Sequence, residues 1–131
     1  MLVLVYSDDA TTRAEVLLAL GKRPHPDLPA LEYVECATEP AVIAIMDAGG
    51  VDLAILDGEA VPAGGMGICR QLKDEIYQCP PIVVLTGRVD DGWLATWSRA
   101  DAALPHPVDP IALAQTVTRL LLPRADVAAT G

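Results

Sequence analysis

Aromatic residues are scarce in this chain of 131 residues: they make up 4% of it, and none is phenylalanine. The chain is nevertheless 52% hydrophobic. It can therefore bury one core, which must consist mainly of Val, Ile, Leu and Ala, and we expect a single domain. No apolar run approaches the roughly 18 residues that a membrane-spanning helix needs, so no membrane insertion is predicted.

Basic residues and cysteines are also few. Nine Lys and Arg face 18 Asp and Glu, a formal net charge of -9, which argues against binding a nucleic-acid backbone. The three cysteines, Cys36, Cys69 and Cys79, are an odd number without a C-x-x-C pair. We expect buried thiols rather than a disulfide framework or a zinc site. The chain starts directly with an apolar strand pattern and not with a signal peptide, so a cytoplasmic protein is expected.

Apolar runs alternate with helical patterns along the chain. The runs are "MLVLVYS", "LEYVECA", "VDLAILD", "PPIVVLTG" and a poorer one, "AALPHP". Five strands alternating with five helices predict an α/β fold with a doubly wound, five-stranded parallel sheet of order 2-1-3-4-5 and flavodoxin-like topology. Pro123 is expected to end the last helix. This gives one domain over residues 1–122 and a flexible tail over 123–131.

Carboxylates follow two of these strands, at their carboxyl ends. In the order 2-1-3-4-5, strands one and three are neighbours, so Asp8 and Asp57 should converge at the point where ligands collect. Carboxylates brought together repel one another unless a cation or a proton intervenes, and oxygen ligands suit Mg²⁺. Two simpler interpretations stay open: Asp57 only ends a strand, and Asp9 caps the first helix, which we favour for Asp9.

Four motifs in this order are typical of one family. They are "LVYSDDATTR" at 4–13, "LAILDGE" at 53–59, "IVVLTGR" with Thr86, and "LPHPVDP" before the last helix. The chain resembles the receiver domains of bacterial two-component response regulators, from residue 1 to about residue 122.

The resemblance implies a site and partners. Asp57 would be the phosphoacceptor, exposed in a pocket at the end of the sheet. Asp8 and Asp57 would hold Mg²⁺ together with the backbone carbonyl of Glu59, and Asp9 stays open as a further ligand. The hydroxyl of Thr86 would bond the phosphoryl group. The phosphoryl source would be a histidine kinase or a phosphotransfer protein, and the chain would be a signalling module rather than an enzyme.

Two positions depart from the family pattern. Its acidic pair falls on Ser7 and Asp8, although a shift by one residue would place it on Asp8 and Asp9. Its Lys-Pro is matched by His106-Pro107, whose peptide bond the resemblance implies to be cis. Histidine has an ordinary pKa of about 6.5 and is mostly neutral at pH 7. His106 could be held protonated, donate one neutral N–H, or only fill space.

Three functions follow from these residues. The first is a stand-alone receiver domain that signals to a downstream protein by contact, because no output domain fits after residue 122; a weak homodimer is compatible with it. The second is a receiver-like interaction module that works without phosphorylation, which Ser7 and His106 favour. The third, a flavodoxin-like cofactor protein, is disfavoured because Asp8 and Asp9 would repel a phosphate.

For the two tryptophans, Trp93 and Trp97, we expect positions in the core rather than on a partner surface.

Overall fold

The structure, a computed structural model, describes residues 1–87 and 96–130. Most of the helix expected over "DDGWLATWSRA", including Trp93, lies outside the described residues, while residues 96–98 are helical. The elements in chain order are β1 (Leu2–Tyr6), α1 (Ala10–Leu20), β2 (Glu32–Cys36), α2 (Glu39–Ala48), β3 (Leu53–Asp57), α3 (Gly65–Glu75), β4 (Ile82–Thr86), β5 (Ala102–Pro105) and α4 (Pro110–Thr130).

The five strands form one parallel sheet of order β2-β1-β3-β4-β5. This confirms the predicted fold class and strand order. β3 is central and all five of its residues are buried, as a strand covered on both faces requires. β5 lies at an edge, where Pro105 pairs with Thr86 and needs to donate to no further strand.

Side chains alternate along the strands into two separate cores. One core packs the sheet against α2 and α3, and the other packs it against α1 and α4. The buried strand residues of the first core are Leu4, Tyr6, Cys36, Ala54, Leu56, Ile82 and Val84. Those of the second are Val3, Val5, Leu53, Ile55, Val83 and Leu85. Tyr6 is the one aromatic residue in either set of buried residues, so the described core is aliphatic as the composition predicts.

Short polar residues start the helices. The Asp9 carboxylate accepts a hydrogen bond from Thr11 N at 2.8 Å, which confirms Asp9 as the cap of α1. Thr38 caps α2 through Ala41 N. The Asp109 carboxylate accepts from Ile111 N at 3.0 Å at the start of α4.

The last helix corrects one prediction. α4 does not end at Pro123 but continues through it to Thr130, so the expected boundary between residues 122 and 123 falls inside a helix. A proline in a helix interior costs about 3 kcal/mol because it lacks an N–H and its ring clashes with the preceding turn. Two features offset this cost. Leu121, two residues before Pro123, is fully buried, and Arg124, the residue after Pro123, forms an ion pair with Asp52 at 3.5 Å.

The three cysteines are free, which agrees with the prediction that they form no disulfide framework. Cys36 and Cys69 are buried, and Cys79 is partly buried. Burial raises the pKa of Cys69 to about 12. None of the described helices combines the length and apolar character that crossing a membrane requires.

Candidate functional site

Asp57 is the last residue of the central strand, and its carboxylate faces the carboxyl end of the sheet. The start of α3 follows closely: a Cβ on Gly65 would lie 2.8 Å from the carbonyl oxygen of Asp57, so only glycine allows the helix to pack there. The Asp57 side chain is 5% exposed. The predicted position is therefore confirmed, but the prediction that Asp57 is exposed is wrong.

Three groups from this chain hydrogen-bond the Asp57 carboxylate. The Ser7 hydroxyl donates to Oδ2 at 2.8 Å, and the Glu59 N–H donates to Oδ1 at 2.9 Å. His106 Nε2 lies 2.9 Å from the same Oδ1. An ionised carboxylate only accepts hydrogen bonds, so Nε2 must carry a proton in this contact. Both oxygens of Asp57 are thus paired within the protein.

Ser7 is held in place through its main chain and its hydroxyl. Its N–H donates to the carbonyl of Cys36, and its own carbonyl accepts from Arg13 Nη1 at 2.6 Å. The Ser7 hydroxyl oxygen also accepts from Asp9 N at 3.1 Å. This second bond fixes the position of the hydroxyl oxygen, and the hydroxyl proton goes to Asp57, because an ionised carboxylate can only accept.

The two acids that follow β1, Asp8 and Asp9, differ from Ser7 in their surroundings. Both are exposed, and Asp9 is engaged as the cap of α1. Ser7 is the residue of this segment whose side chain hydrogen-bonds Asp57. Asp8 still affects the site: after burial, its charge is the largest of several that raise the pKa of Tyr6, and Asp57 contributes in the same direction.

Thr86 ends β4, the strand beside β3, and His106 follows β5, the edge strand beyond β4. Thr86 is 4% exposed. The His106 N–H donates to the Thr86 carbonyl at 2.8 Å, which places the imidazole over the end of the sheet. The His106–Pro107 bond is cis, as the resemblance implies.

Glu59 has a second contact that the sequence does not indicate. Its side chain lies against Gly87, at the position that a Cβ on residue 87 would fill. The resemblance assigns Glu59 only a backbone carbonyl. Its side-chain position depends on the folded path of two loops, and a local pattern carries no signal for it.

The side chains at this site do not match the expected Mg²⁺ site. Among the described residues, no three Asp, Glu, His or Cys side chains are grouped so that they could hold a metal ion. The Ser7 hydroxyl directs its proton at Asp57. A metal bound between the two side chains would need a lone pair of the Ser7 oxygen on that side instead. Of the three carboxylates expected as ligands, Asp8 and Asp57 act on a common neighbour, since the charges of both raise the pKa of Tyr6. Asp9 instead caps α1.

Comparison with curated proteins decides the family. Two response regulatory proteins of Mycobacterium tuberculosis, from strains CDC 1551 and H37Rv, are each 70% identical to the chain over 119 residues, which cover 91% of this chain and 90% of each relative. The chain belongs to the response-regulator family. No protein-family model matches it.

Solved structures agree with the receiver fold of this response regulator. The chemotaxis protein CheY4 of Vibrio cholerae superposes with a TM-score of 0.76 at 21% identity, covering 92% of this chain and 98% of that one. The receiver domain of Ssk1 from Saccharomyces cerevisiae, crystallised with the phosphotransfer protein Ypd1, gives 0.80 at 20% identity and covers 95% and 91%.

Trp97 lies away from this site and corrects another prediction. It is 48% exposed and not a core residue. The Arg70 guanidinium lies 5.0 Å from the centre of its ring, a cation–π contact. Arg70 Nη1 also donates to the Trp97 carbonyl at 2.8 Å. A partly exposed tryptophan held by arginine is compatible with a partner surface.

Proposed function

We propose that this receiver domain accepts a phosphoryl group on Asp57 from a histidine kinase or a phosphotransfer protein and passes the signal on by protein contact. The observation that carries the proposal is the placement of Asp57 at the end of the central strand, with Thr86 at the end of the adjacent β4 and His106, just after β5, in contact with the Asp57 carboxylate. Such a domain signals rather than catalyses, and we place it in the cytoplasm with its proposed kinase.

The proposed chemistry is transfer to a carboxylate. An oxygen of Asp57 forms a bond to phosphorus as the phosphorus–nitrogen bond of a phosphohistidine breaks, and the leaving imidazole takes up a proton. Because Asp57 is buried and both its oxygens are paired, its contact with His106 or Ser7 must open before the attack. His106 is 24% exposed at its side chain and is the better placed of the two to move.

The product carries more negative charge than the carboxylate. In a typical family member, Mg²⁺ and a lysine would balance this charge. Here, His106 is the cationic candidate beside Asp57, and the buried hydroxyls of Ser7 and Thr86 are the neutral donors. The donors next to Asp57, a hydroxyl, a backbone N–H and an imidazole N–H, do not fit a metal ion.

Two structural relatives support the proposed partner class and the choice of a chemical stand-in for the phosphoryl group. Ssk1 is a receiver crystallised with a histidine phosphotransfer protein, so a phosphotransfer partner is a reasonable expectation here. The DrrB receiver domain, a neighbour with a TM-score of 0.71 at 22% identity, is described as BeF3-activated. Beryllofluoride is therefore a suitable stand-in for the phosphoryl group on Asp57.

A second candidate is an interaction module that works without phosphorylation. The full pairing and near-complete burial of the Asp57 carboxylate favour it, since a reactive oxygen is normally accessible to its donor. In that case Asp57 would only tie β1, β3 and β5 together. Partner binding would then depend on exposed residues such as Trp97 and not on Asp57.

Mass spectrometry separates the two candidates. The native protein is treated with a small-molecule phosphodonor, and in parallel with a phosphorylated histidine phosphotransfer protein. We expect a gain of one phosphoryl group that is lost in Asp57→Asn and kept in Asp9→Asn, which removes a nearby exposed carboxylate. No gain with either donor, together with partner binding unchanged by Asp57→Asn and reduced by Trp97→Ala, would establish the second candidate instead.

A further inference from the structure

We infer that Ser7 and His106 form a metal-independent clamp on Asp57, taking over the task of a divalent cation at this end of the sheet. The clamp consists of the Ser7 hydroxyl on one carboxylate oxygen and the His106 imidazole on the other. The inference goes beyond the proposed function, because it concerns the unmodified carboxylate and does not depend on Asp57 being a phosphoacceptor.

The first argument is the charge at residue 7. A carboxylate at this position would lie against the Asp57 carboxylate, and two such groups repel each other unless a cation or a proton separates them. The Ser7 hydroxyl removes that requirement. It is neutral, 1% exposed, and bonded to Asp57 at 2.8 Å. The chain therefore needs no cation to keep β1 and β3 together at this end.

The second argument is the number of acceptor positions in use. A carboxylate offers about four lone-pair positions, and three are taken by Ser7, the Glu59 N–H and His106. Mg²⁺ demands near-ideal octahedral geometry with oxygen ligands at about 2.0–2.1 Å. Both Oδ1 positions are taken, so a cation on that oxygen would meet the Nε2 proton of His106, and binding there would require the His106 contact to open.

The third argument is the direction of the Ser7 hydroxyl. The Ser7 hydroxyl donates to the Asp57 carboxylate, which can only accept, while its oxygen accepts from the Asp9 N–H at 3.1 Å and is held in place by that bond. Asp9 itself is fixed as the cap of α1. The start of the first helix thus sets the orientation of the donor. Ser7 is accordingly a positioning residue for the Asp57 carboxylate.

The test compares thermal unfolding of three full-length proteins, native, Ser7→Asp and Ser7→Asn, in EDTA and in tens of millimolar Mg²⁺, with NaCl matched for ionic strength. If the folded protein has a Mg²⁺ site, a Mg²⁺ concentration about ten times the Kd of that site should raise the Tm of a chain this size by about 5 °C. We expect no such rise in the native protein. Ser7→Asp should unfold several degrees lower in EDTA and recover in Mg²⁺. Ser7→Asn, similar in size but uncharged, should not respond to Mg²⁺.

A second measurement covers the case in which Ser7→Asp does not fold. The backbone amide of Glu59 bonds Asp57 directly, so its NMR shift in the native protein reports any cation on that carboxylate. A saturable Mg²⁺-dependent shift that disappears in Asp57→Asn, or a native Tm that rises with Mg²⁺, would overturn the inference. The readouts are independent of phosphorylation, so failure here and failure of the proposed function are separate results.

Discussion

The bond from Ser7 to Asp57 should make a large contribution to stability, and Ser7→Ala is the perturbation that measures it. Both residues are buried, at 1% and 3% exposure, and the substitution removes a donor from a carboxylate without adding bulk. Hydrogen bonds to charged groups contribute about 1.5–3 kcal/mol. We therefore expect a loss of about 2 kcal/mol in the free energy of unfolding, or about 7 °C in Tm for this chain length.

The assay is urea denaturation followed by circular dichroism, with Thr11→Ala as a control on an exposed side chain that should stay within about 0.5 kcal/mol of the native protein. A double-mutant cycle with Asp57→Asn isolates the charged part of the interaction, because the lost bond from Asp9 N cancels in it. With a neutral amide at residue 57 the same bond contributes about 1 kcal/mol, so a coupling of about 1 kcal/mol is expected. Equal losses in the two backgrounds would show that Ser7 does not serve a charged carboxylate.

Three further predictions follow from the described contacts. Asp9→Ala should lower the free energy of unfolding by about 1 kcal/mol through loss of the α1 cap, whereas Asp9→Ser should keep most of it; equal losses in the two variants would contradict a capping role. Asp101→Ala should cost about 2 kcal/mol by urea titration, because its carboxylate accepts from both Lys73 Nζ and Ile82 N, and Asp101→Asn should cost less. Burial raises the Cys69 pKa from 9.0 to about 12, so the buried thiol contributes stability below pH 9 that is lost as the pH rises toward 12; Cys69→Ala should flatten this part of a stability–pH profile, and an unchanged slope would refute it.

The strand order and the position of Asp57 could be predicted because they depend on patterns that the sequence displays directly. β3 is an apolar run that stops at a carboxylate, and alternation with helices requires parallel strands. Asp9 as a helix cap follows from its residue type and place in the chain. These features are local, or follow from fold-level rules, and so a single sequence is enough to obtain them.

The exposure of Asp57 and the residue facing it could not be obtained in this way. The alternation of a strand fixes side-chain direction only within the strand, and β1 ends at Tyr6. Whether Ser7 or Asp8 points at Asp57 depends on the turn into α1, which Arg13 sets through its bond to the Ser7 carbonyl. The burial of Asp57 likewise depends on Glu59 and His106, whose loops meet only in the folded chain.

The extension of α4 through Pro123 shows a local rule overridden by tertiary contacts. A proline in a helix interior usually ends or kinks the helix, because it leaves a carbonyl of the preceding turn without a partner. Here the preceding turns are anchored by Leu113, Val117 and Leu121, all fully buried. A contact from Arg124 to the distant Asp52 then supports the turn that follows. The partner of Arg124 is far away in the chain, so this support cannot be predicted from the residues near the proline.

The division of the interior into two cores bears on how such a domain can change over time. The residues on opposite faces of the sheet belong to separate packed clusters, and substitutions at sites without shared partners have nearly additive effects on stability. A lineage could therefore remodel the α1 and α4 side to suit a new partner while the α2 and α3 side stays unaltered. Asp57 lies at the end of β3, whose side chains enter both cores, so a variant remodelled on either side would keep the same site.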